Sequence, residues 1–366
     1  MADFADVSRG RRLEWSSNEL TGAIGDSITV LPVVVALAAL TSISLPHVLL
    51  AFGVFQIVWG VKYGLPVSVE PMKALAALAI AGALTYAELA LAGIVLGGLL
   101  LAIGLTGSLS VVERWIGEPV VRGVQFAVGL LLLEIGIRLA VADVHLAGVG
   151  VVIAVVVVGL GYDRASALVV LLAGAVVAIW TAGLPAPQWP GLPPVVPVSD
   201  GFSWQTADGV LSQLAMTIGN AALATSLLFA DRFDEDVTPD ELSRSMGVTN
   251  LVGIPAGGIP MCHGCDGVAG KHAFGARTGG ANLVAGCLYL GTAIFATTAL
   301  LAAFPLAMLG VLLALVAVSL GKSVFKSSNL SLSVGIGVLA LVTNLGVAFL
   351  LGLVVNLYLE RPAGRR

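Results

Sequence analysis

The sequence contains few charged residues. Asp, Glu, Lys and Arg make up only 11% of its 366 residues, whereas a soluble globular protein has about 25%. A soluble fold of this length would need far more polar surface, so that class is excluded. With 58% hydrophobic residues and a mean hydropathy of +1.00, the composition predicts an integral membrane protein with many spans.

Other absences narrow the class further. The chain has only three cysteines, Cys262, Cys265 and Cys287, too few for a disulfide framework. The pattern G-x-x-x-x-G-K-[ST] does not occur, which argues against a P-loop and against ATP-driven transport by this chain alone. Residues 1–19 are polar and charged, with no apolar segment before the first span, so we expect no signal peptide. We also expect no cofactor and no nucleic-acid partner.

Fourteen apolar runs follow the polar tail at 1–17. They cover residues 20–41, 46–61, 71–84, 86–107, 119–140, 145–160, 165–181, 206–230, 241–256, 263–275, 280–302, 305–320, 329–342 and 344–358. Suppose that the N-terminus is cytoplasmic and that every run crosses the membrane. Of the 18 Lys and Arg residues, all except Arg138 and Lys73 then lie on the cytoplasmic side, and Lys271 is among them. Cytoplasmic loops are rich in Lys and Arg, so this asymmetry favours fourteen crossings with both termini cytoplasmic.

A proline-rich segment without Lys or Arg at 183–205 divides these runs, and we predict that it is an extended external linker. Residues 18–182 then form a first repeat of seven runs and residues 206–359 a second, before a cytoplasmic tail at 360–366. Because seven is odd, the second repeat must be inverted relative to the first.

The third run of each half is unusual. A helix over 71–84 would cover about 21 Å, short of the roughly 30 Å hydrocarbon core, and the run at 263–275 is shorter still. Each is entered through a Pro-Met pair, beginning at Pro71 and Pro260. Short, interrupted segments at corresponding positions of two halves indicate a transporter binding site. We therefore predict two half-helices that meet near the membrane midplane.

Two converging helix N-termini would form an anion site, because each presents unpaired N–H groups and about half a positive charge. Lys73, in the first turn of one half-helix, could add a full positive charge, or it could form a structural ion pair with Glu70 or Asp26. His263 and Gly264 begin the other half-helix. His263 could donate to an oxyanion or carry a proton, or it could be a hydrogen-bonded packing residue.

The Cys-His-Gly-Cys segment also permits other interpretations. Cys262, His263, Cys265 and His272 are metal-ligand types, although adjacent Cys262 and His263 are awkward co-ligands. A redox pair of the two cysteines lacks a thioredoxin-like context. A membrane enzyme using Cys262, His263 and Asp266 is the alternative from a different class, but the sequence provides no clear set of nucleophile, base and orienting residue. We expect neither a metal nor an enzyme.

The segment GGIPMCHGCDGVAGKHAFGARTGG at 257–280 resembles the signature of the molybdate transporter family related to the SulP sulfate permeases, in its proline, its Cys-His-Gly and its Phe-Gly-Ala-Arg. Further similar segments are the Pro-Met-Lys at 71–73, NELTGAIGDSITVLP at 18–32 and QLAMTIGN at 213–220. ELSRSMGVTNLVG at 241–253 resembles the ninth span of the wider SulP group. Two positions depart from the family pattern, since Glu70 stands in place of a glutamine and Asp266 in place of a glycine.

This resemblance implies an all-α membrane fold of two inverted seven-span repeats with core and gate domains, rather than the twelve spans of the major facilitator group. It implies secondary transport of a tetrahedral oxyanion across the cytoplasmic membrane, with molybdate first and sulfate second. Expected partners are this anion, a co-transported proton, the lipid bilayer and a second copy in a homodimer. A nucleobase or bicarbonate carrier and an anion channel remain alternatives on the same fold. Candidate substrate-binding residues are Met72, Lys73, Gln213, Thr217, Asn220, Cys262, His263 and Gly264, and candidate coupling residues are Asp26, Glu70 and Asp266.

Overall fold

The computed structural model describes residues 13–196 and 198–360, and most of the two predicted tails lies outside these ranges. The described chain is almost entirely helical. The helices are α1 (Ser17–Leu40), α2 (Leu45–Tyr63), α3 (Lys73–Ile80), α4 (Tyr86–Thr106), α5 (Leu109–Ile116), α6 (Glu118–Ala140), α7 (Val144–Gly159), α8 (Ser166–Ala182), α9 (Trp204–Met216), α10 (Thr225–Phe233), α11 (Pro239–Gly253), α12 (Cys265–Ala273), α13 (Gly280–Ala293), α14 (Thr298–Ala302), α15 (Leu306–Gly321), α16 (Leu330–Val342) and α17 (Leu345–Leu359). Two short strands, β1 (Glu70–Pro71) and β2 (Met261–Cys262), directly precede α3 and α12. A π-helical segment, Thr217–Ala224, joins α9 to α10.

The described helices are consistent with the fourteen predicted crossings. Seven continuous helical segments in the described ranges are long and apolar enough to cross a membrane, and four further apolar helices are shorter. The remaining crossings correspond to α11 and to the two short helices α3 and α12, which lie where the half-helices were predicted. α16 and α17 are separate helices, because the backbone leaves the helix at Thr343 and the Asn344 side chain caps the next one by accepting from Val347 N at 2.8 Å.

The structure differs from the predicted runs in two places. Residues 280–302 form two helices rather than one, because the chain leaves the helix after Ala293 and Thr297 caps the short α14 by accepting from Leu300 N at 3.2 Å. The eight-residue helix α5 was not predicted. Each of these short helices follows the fourth crossing of its half, so the two differences occur at equivalent positions.

Helix packing follows a reciprocal pattern between the halves. The second crossing of each half packs along the fourth crossing of the other, as α2 on α13 and α11 on α4. The first crossing of each half packs on the half-helix of the other, as α1 on α12 and α9 on α3. α6 packs on α15 and α16, and α15 packs on α7 and α8. This arrangement is consistent with two inverted repeats and with a core and a gate domain.

Glycines allow the closest helix contacts at equivalent places in the two halves. A Cβ on Gly53 of α2 would overlap the carbonyl oxygen of Gly286 in α13, and a Cβ on Gly247 of α11 would overlap that of Gly97 in α4. Small residues let helix backbones approach in this way where no hydrophobic effect drives helices together. The two glycine pairs therefore occupy equivalent positions in the two reciprocal helix contacts, α2 with α13 and α11 with α4.

A buried carboxylate fixes the start of α13. Glu19, 1% exposed, accepts hydrogen bonds from the backbone N–H groups of Arg277 at 2.9 Å, Thr278 at 3.0 Å and Ala281 at 2.9 Å. An anion is favoured at a helix N-terminus because N–H groups there lack helical partners. Glu19, at the start of the first apolar run, therefore has a structural role.

Replacement of Glu19 by alanine should lower the free energy of unfolding by about 2 kcal/mol or more, because three backbone donors, one of them buried, lose a charged acceptor. Glu134→Ala is the control, since it removes an exposed ion pair with Arg138 that is worth about 1 kcal/mol or less. Thermal melting of the detergent-solubilised proteins measures the difference. Equal melting temperatures for the two variants would contradict this role.

Candidate anion site

A two-residue antiparallel ribbon brings the starts of α3 and α12 together. Glu70 pairs with Cys262 and Pro71 with Met261, and Met72 N donates to Pro260 O at 2.9 Å. Because the paired strands run in opposite directions, the helices that follow them leave in opposite directions with their N-termini side by side. The ribbon therefore builds the arrangement that was predicted from the two Pro-Met pairs.

The N-terminus of α3 is largely occupied by protein atoms. Gln213 Oε1 accepts from Ala74 N at 2.9 Å and lies 3.4 Å from Leu75 N, and Gln213 Nε2 donates to Thr217 Oγ1 at 2.9 Å. Met72 N is already bonded to the other half. Gln213 thus caps the half-helix, and Thr217 accepts from the Gln213 amide. The adjacent side chain, that of Lys73, is the cation at this helix end.

The N-terminus of α12 lies against a carboxylate. Glu70 is 1% exposed, and the three atoms nearest a Cβ built on Gly264 all belong to its carboxyl group. A Cβ on Gly267 would overlap Glu70 Oε1 as well. These two glycines leave room for the carboxyl group beside the first turn of α12. Glu70 therefore takes the place that an external anion would take at this helix end.

Lys73 connects the two half-helices. Its ammonium lies 2.7 Å from Glu70 Oε2 and 3.5 Å from Asp266 Oδ2. Of the two partners considered for Lys73 from the sequence, the structure therefore selects Glu70 over Asp26, and it adds Asp266.

A second ion pair lies next to this site, between Asp26 and Lys271. The distance between Asp26 Oδ2 and Lys271 Nζ is 3.1 Å. Both side chains are fully buried. The prediction that Lys271 is an inner-side loop base is therefore wrong: the short α12 packs on α1, and its Lys271 side chain points into the protein. Sequence reasoning also missed Gln56, Ser68 and Asn282, which contact this pair.

His263 faces away from the shared helix ends. Its Nδ1 lies 2.8 Å from Ser68 O and its Nε2 2.8 Å from Ser245 Oγ, and the ring makes edge contacts with Trp59 and Tyr63. Both ring nitrogens thus have partners within the protein. The geometry matches the packing alternative for His263 rather than that of an oxyanion donor.

Asn220 and the cysteines make fewer contacts near the two helix N-termini. The carbonyl oxygen of Asn220 accepts from Thr225 Oγ1 at 3.3 Å. Cys262 is buried in β2, and Cys265 Sγ is 3.6 Å from Ala224 O. All three cysteines are free. Across residues 13–196 and 198–360, no group of three or more His, Cys, Asp or Glu side chains is placed to hold a metal ion.

The charges of this region are nearly balanced, and all of the charged side chains except that of the half-exposed Asp266 are buried. Three carboxylates, of Asp26, Glu70 and Asp266, lie with the two ammonium groups of Lys73 and Lys271. With every group ionised the sum is one negative charge, which opposes a dianion. Protonation of one carboxylate would make the sum zero.

Two half-helices with adjacent N-termini, joined by a short ribbon inside an inverted arrangement of membrane helices, are typical of a membrane transporter. The sequence comparison identifies the family. Residues 18–132 and 205–320, more than half of the chain, match the family described as "Molybdate transporter of MFS superfamily", and the chain belongs to that family.

Named relatives and solved structures agree with this assignment. The chain is 28% identical to molybdate transporter 2 and 29% identical to molybdate transporter 1 of Arabidopsis thaliana, over 84% and 83% of this chain and 78% and 79% of those proteins. Its fold is similar to the transmembrane domain of the cyanobacterial bicarbonate transporter BicA, with a TM-score of 0.67 at 18% identity over 93% of this chain and 96% of that one. It is also similar to the murine Slc26a9 anion transporter, with a TM-score of 0.69 at 16% identity over 94% and 68%. The family and the fold together support an anion transporter.

Proposed function

We propose that this protein is a secondary transporter of a tetrahedral oxyanion, with molybdate as the leading substrate, and that the anion binds between the N-termini of α3 and α12. The observation that carries this proposal is the β1–β2 ribbon, which places two helix N-termini and the buried Lys73 in one region. Molybdate is favoured by the family and by the named relatives. Sulfate has the same charge and shape, so it is the second candidate.

Glu70 is the proposed site of proton coupling. Ser68 Oγ lies 2.5 Å from Asp26 Oδ1 and 3.2 Å from Glu70 Oε1, but a hydroxyl group has only one proton to donate. The shorter contact assigns that proton to Asp26. A proton on Glu70 Oε1 would then let Glu70 donate to Ser68 Oγ. Each of the two contacts of Ser68 Oγ, with Asp26 and with Glu70, would then be a hydrogen bond with its own proton.

Proton binding and anion binding support each other in this scheme. Ionised Glu70 holds Lys73 and lies against α12, where it repels an incoming anion. Protonation of Glu70 removes one negative charge from the site. The Lys73 ammonium and the N–H groups of α12 are then available to bind the anion. Asp26 and Lys271 below, Cys262 opposite and Asp266 at the mouth of α12 are the other titratable groups around Glu70.

Calorimetric titration of the purified protein with molybdate and with sulfate at two pH values tests the proposal. Molybdate should bind, tighter at the lower pH, and sulfate should compete poorly. Lys73→Ala should weaken molybdate binding at least tenfold, because a charge-assisted hydrogen bond is worth about 1.5–3 kcal/mol. Lys322→Ala, in a turn after α15, is the control. Equal sulfate binding would reassign the substrate, and binding of neither anion would remove the proposal.

The remaining features keep the status of predictions. They are the repeat boundaries at 18–182 and 206–359, the external position of 183–205, the cytoplasmic location of both termini, the cytoplasmic membrane as the site of the protein, and a homodimer. Competition of bicarbonate and nucleobases for molybdate uptake tests the other carriers considered from the sequence. Conductance without accumulation would indicate a channel.

A further inference from the structure

The Lys271 ammonium is surrounded by oxygen atoms. Within 3.1 Å of its Nζ lie Val67 O at 2.7 Å, Gln56 Oε1 at 2.9 Å, Asn282 Oδ1 at 3.0 Å and Asp26 Oδ2 at 3.1 Å. An ammonium group has three protons to donate, so four oxygens are more than its hydrogen bonds require. Such a shell is typical of a coordinated cation.

The orientation of the two amides supports this description. Gln56 Nε2 donates to Asp26 Oδ2 at 2.5 Å, and Asn282 Nδ2 donates to Val67 O at 2.7 Å, so each amide turns its oxygen toward Lys271. Reversing either amide would place an NH₂ group against the ammonium and break these bonds. The side chains of Asp26, Gln56 and Asn282 are fully buried. The cage is thus built from one carboxylate and three carbonyl oxygens, the ligands that hard cations prefer.

The size of the cage indicates which cations fit. Its N···O distances of 2.7–3.1 Å exceed the roughly 2.3–2.6 Å at which oxygen binds Ca²⁺. The single carboxylate balances one positive charge. The cage therefore fits a monovalent cation as large as ammonium, such as K⁺ or NH₄⁺, better than a divalent ion.

We propose that the oxygen cage is a monovalent-cation site that the chain fills with its own tethered cation, Lys271. Transport by the native protein then needs no added Na⁺ or K⁺. Removal of the side chain leaves a vacant site that external cations can occupy. The cage joins α1, α2, α12, α13 and the segment before β1, so its occupancy stabilises the part of the protein that carries Glu70.

The hydroxyl group of Ser68 connects the cage to the anion site. Asp26 Oδ2 faces Lys271, while Asp26 Oδ1 accepts from Ser68, which lies beside Glu70. An empty cage leaves the carboxylate of Asp26 buried without its cation, and such a group repositions or takes up a proton. Lys271 is therefore a positioning residue for the site rather than a residue that contacts the substrate.

The test is Lys271→Ala in purified protein and in vesicles, at constant ionic strength, with NH₄⁺, K⁺, Na⁺ or N-methylglucamine as the only monovalent cation. We expect uptake at least tenfold below the native level in N-methylglucamine, with recovery in NH₄⁺ and K⁺ and less in Na⁺. The melting temperature of the variant should rise in the same order, by about 2 °C or more. The native protein should show neither effect.

The double variant Asp26→Asn with Lys271→Met provides the control, because it removes both charges of the cage. It should fold and melt at the same temperature in all four cations. Melting does not depend on the transported anion, so it tests the cage even if the substrate is assigned wrongly. Native-like uptake by Lys271→Ala in N-methylglucamine would overturn the proposal. So would an equal response to all four cations, or failure of every cation to restore Lys271→Ala while the double variant folds.

Discussion

Glu70→Gln should transport its anion at a rate that no longer depends on pH. In the native protein, uptake should increase about tenfold for each unit that the pH falls, across the range in which Glu70 takes up one proton. Glutamine resembles the protonated acid in shape, carries no charge and can donate to Ser68 through its amide. The variant should therefore bind molybdate well at all pH values but fail to accumulate it against a gradient.

The experiment measures initial uptake and steady-state accumulation in vesicles with an imposed pH gradient. Glu88→Gln is the matched control, because this acid caps α4 through Thr85 and lies away from the half-helices. The resemblance noted in the sequence adds a reason to expect a folded variant, since glutamine is the residue that the family pattern has at position 70. A steep pH dependence retained by Glu70→Gln would contradict the coupling role.

The second large effect is expected at Gly264, the residue before the first turn of α12. Its backbone angles, φ −75° and ψ 127°, are open to alanine, so the substitution acts by steric contact alone. The added methyl group would overlap the Glu70 carboxyl group. Overpacking of this kind lowers the free energy of unfolding by about 1–3 kcal/mol. The displaced carboxyl group should also move into the space proposed for the anion, so molybdate affinity should fall about tenfold or more.

Two further variants separate loss of the site from loss of folding. Gly98→Ala places the same methyl group in α4, where nothing lies within 4 Å of the new atom, and it should leave binding and melting unchanged. Glu70→Ala leaves buried Lys73 without its nearest partner, so it serves as the reference for the double variant. Adding Gly264→Ala to Glu70→Ala creates no overlap with a carboxyl group and should lower the melting temperature less than Gly264→Ala lowers that of the native protein. Native affinity in Gly264→Ala would show that the substrate does not approach α12 here.

The half-helices could be predicted because their signals are local. A short run, a Pro-Met entry and a matching position in each half are all readable along the chain, and the ribbon confirms the arrangement. The position of Glu70 could not be read in this way. That side chain faces the first turn of α12 because of the cross-strand pairing of Glu70 with Cys262, which no local pattern encodes.

Lys271 shows where the expectation that Lys and Arg lie in cytoplasmic loops fails. A lysine in a short polar run was assigned to a loop, since buried ammonium groups are rare in membrane spans. Its four oxygen partners come from four separate parts of the chain, and only their assembly makes burial favourable. The signal that could have revealed it is the presence of Gln56 and Asn282, polar residues within apolar runs.

The oxygen cage also sets an order of events during synthesis. Gln56 and Asn282 are 226 residues apart, so at about 5–20 residues per second roughly 10–45 s pass before the second appears. During that interval Asp26 and Gln56 have been made but Lys271 and Asn282 have not. Within the first half, Gln56 and Ser68 can already donate to Asp26, but the carboxylate has no cation until Lys271 is made. Final assembly of the cage begins only when α12 and α13 arrive.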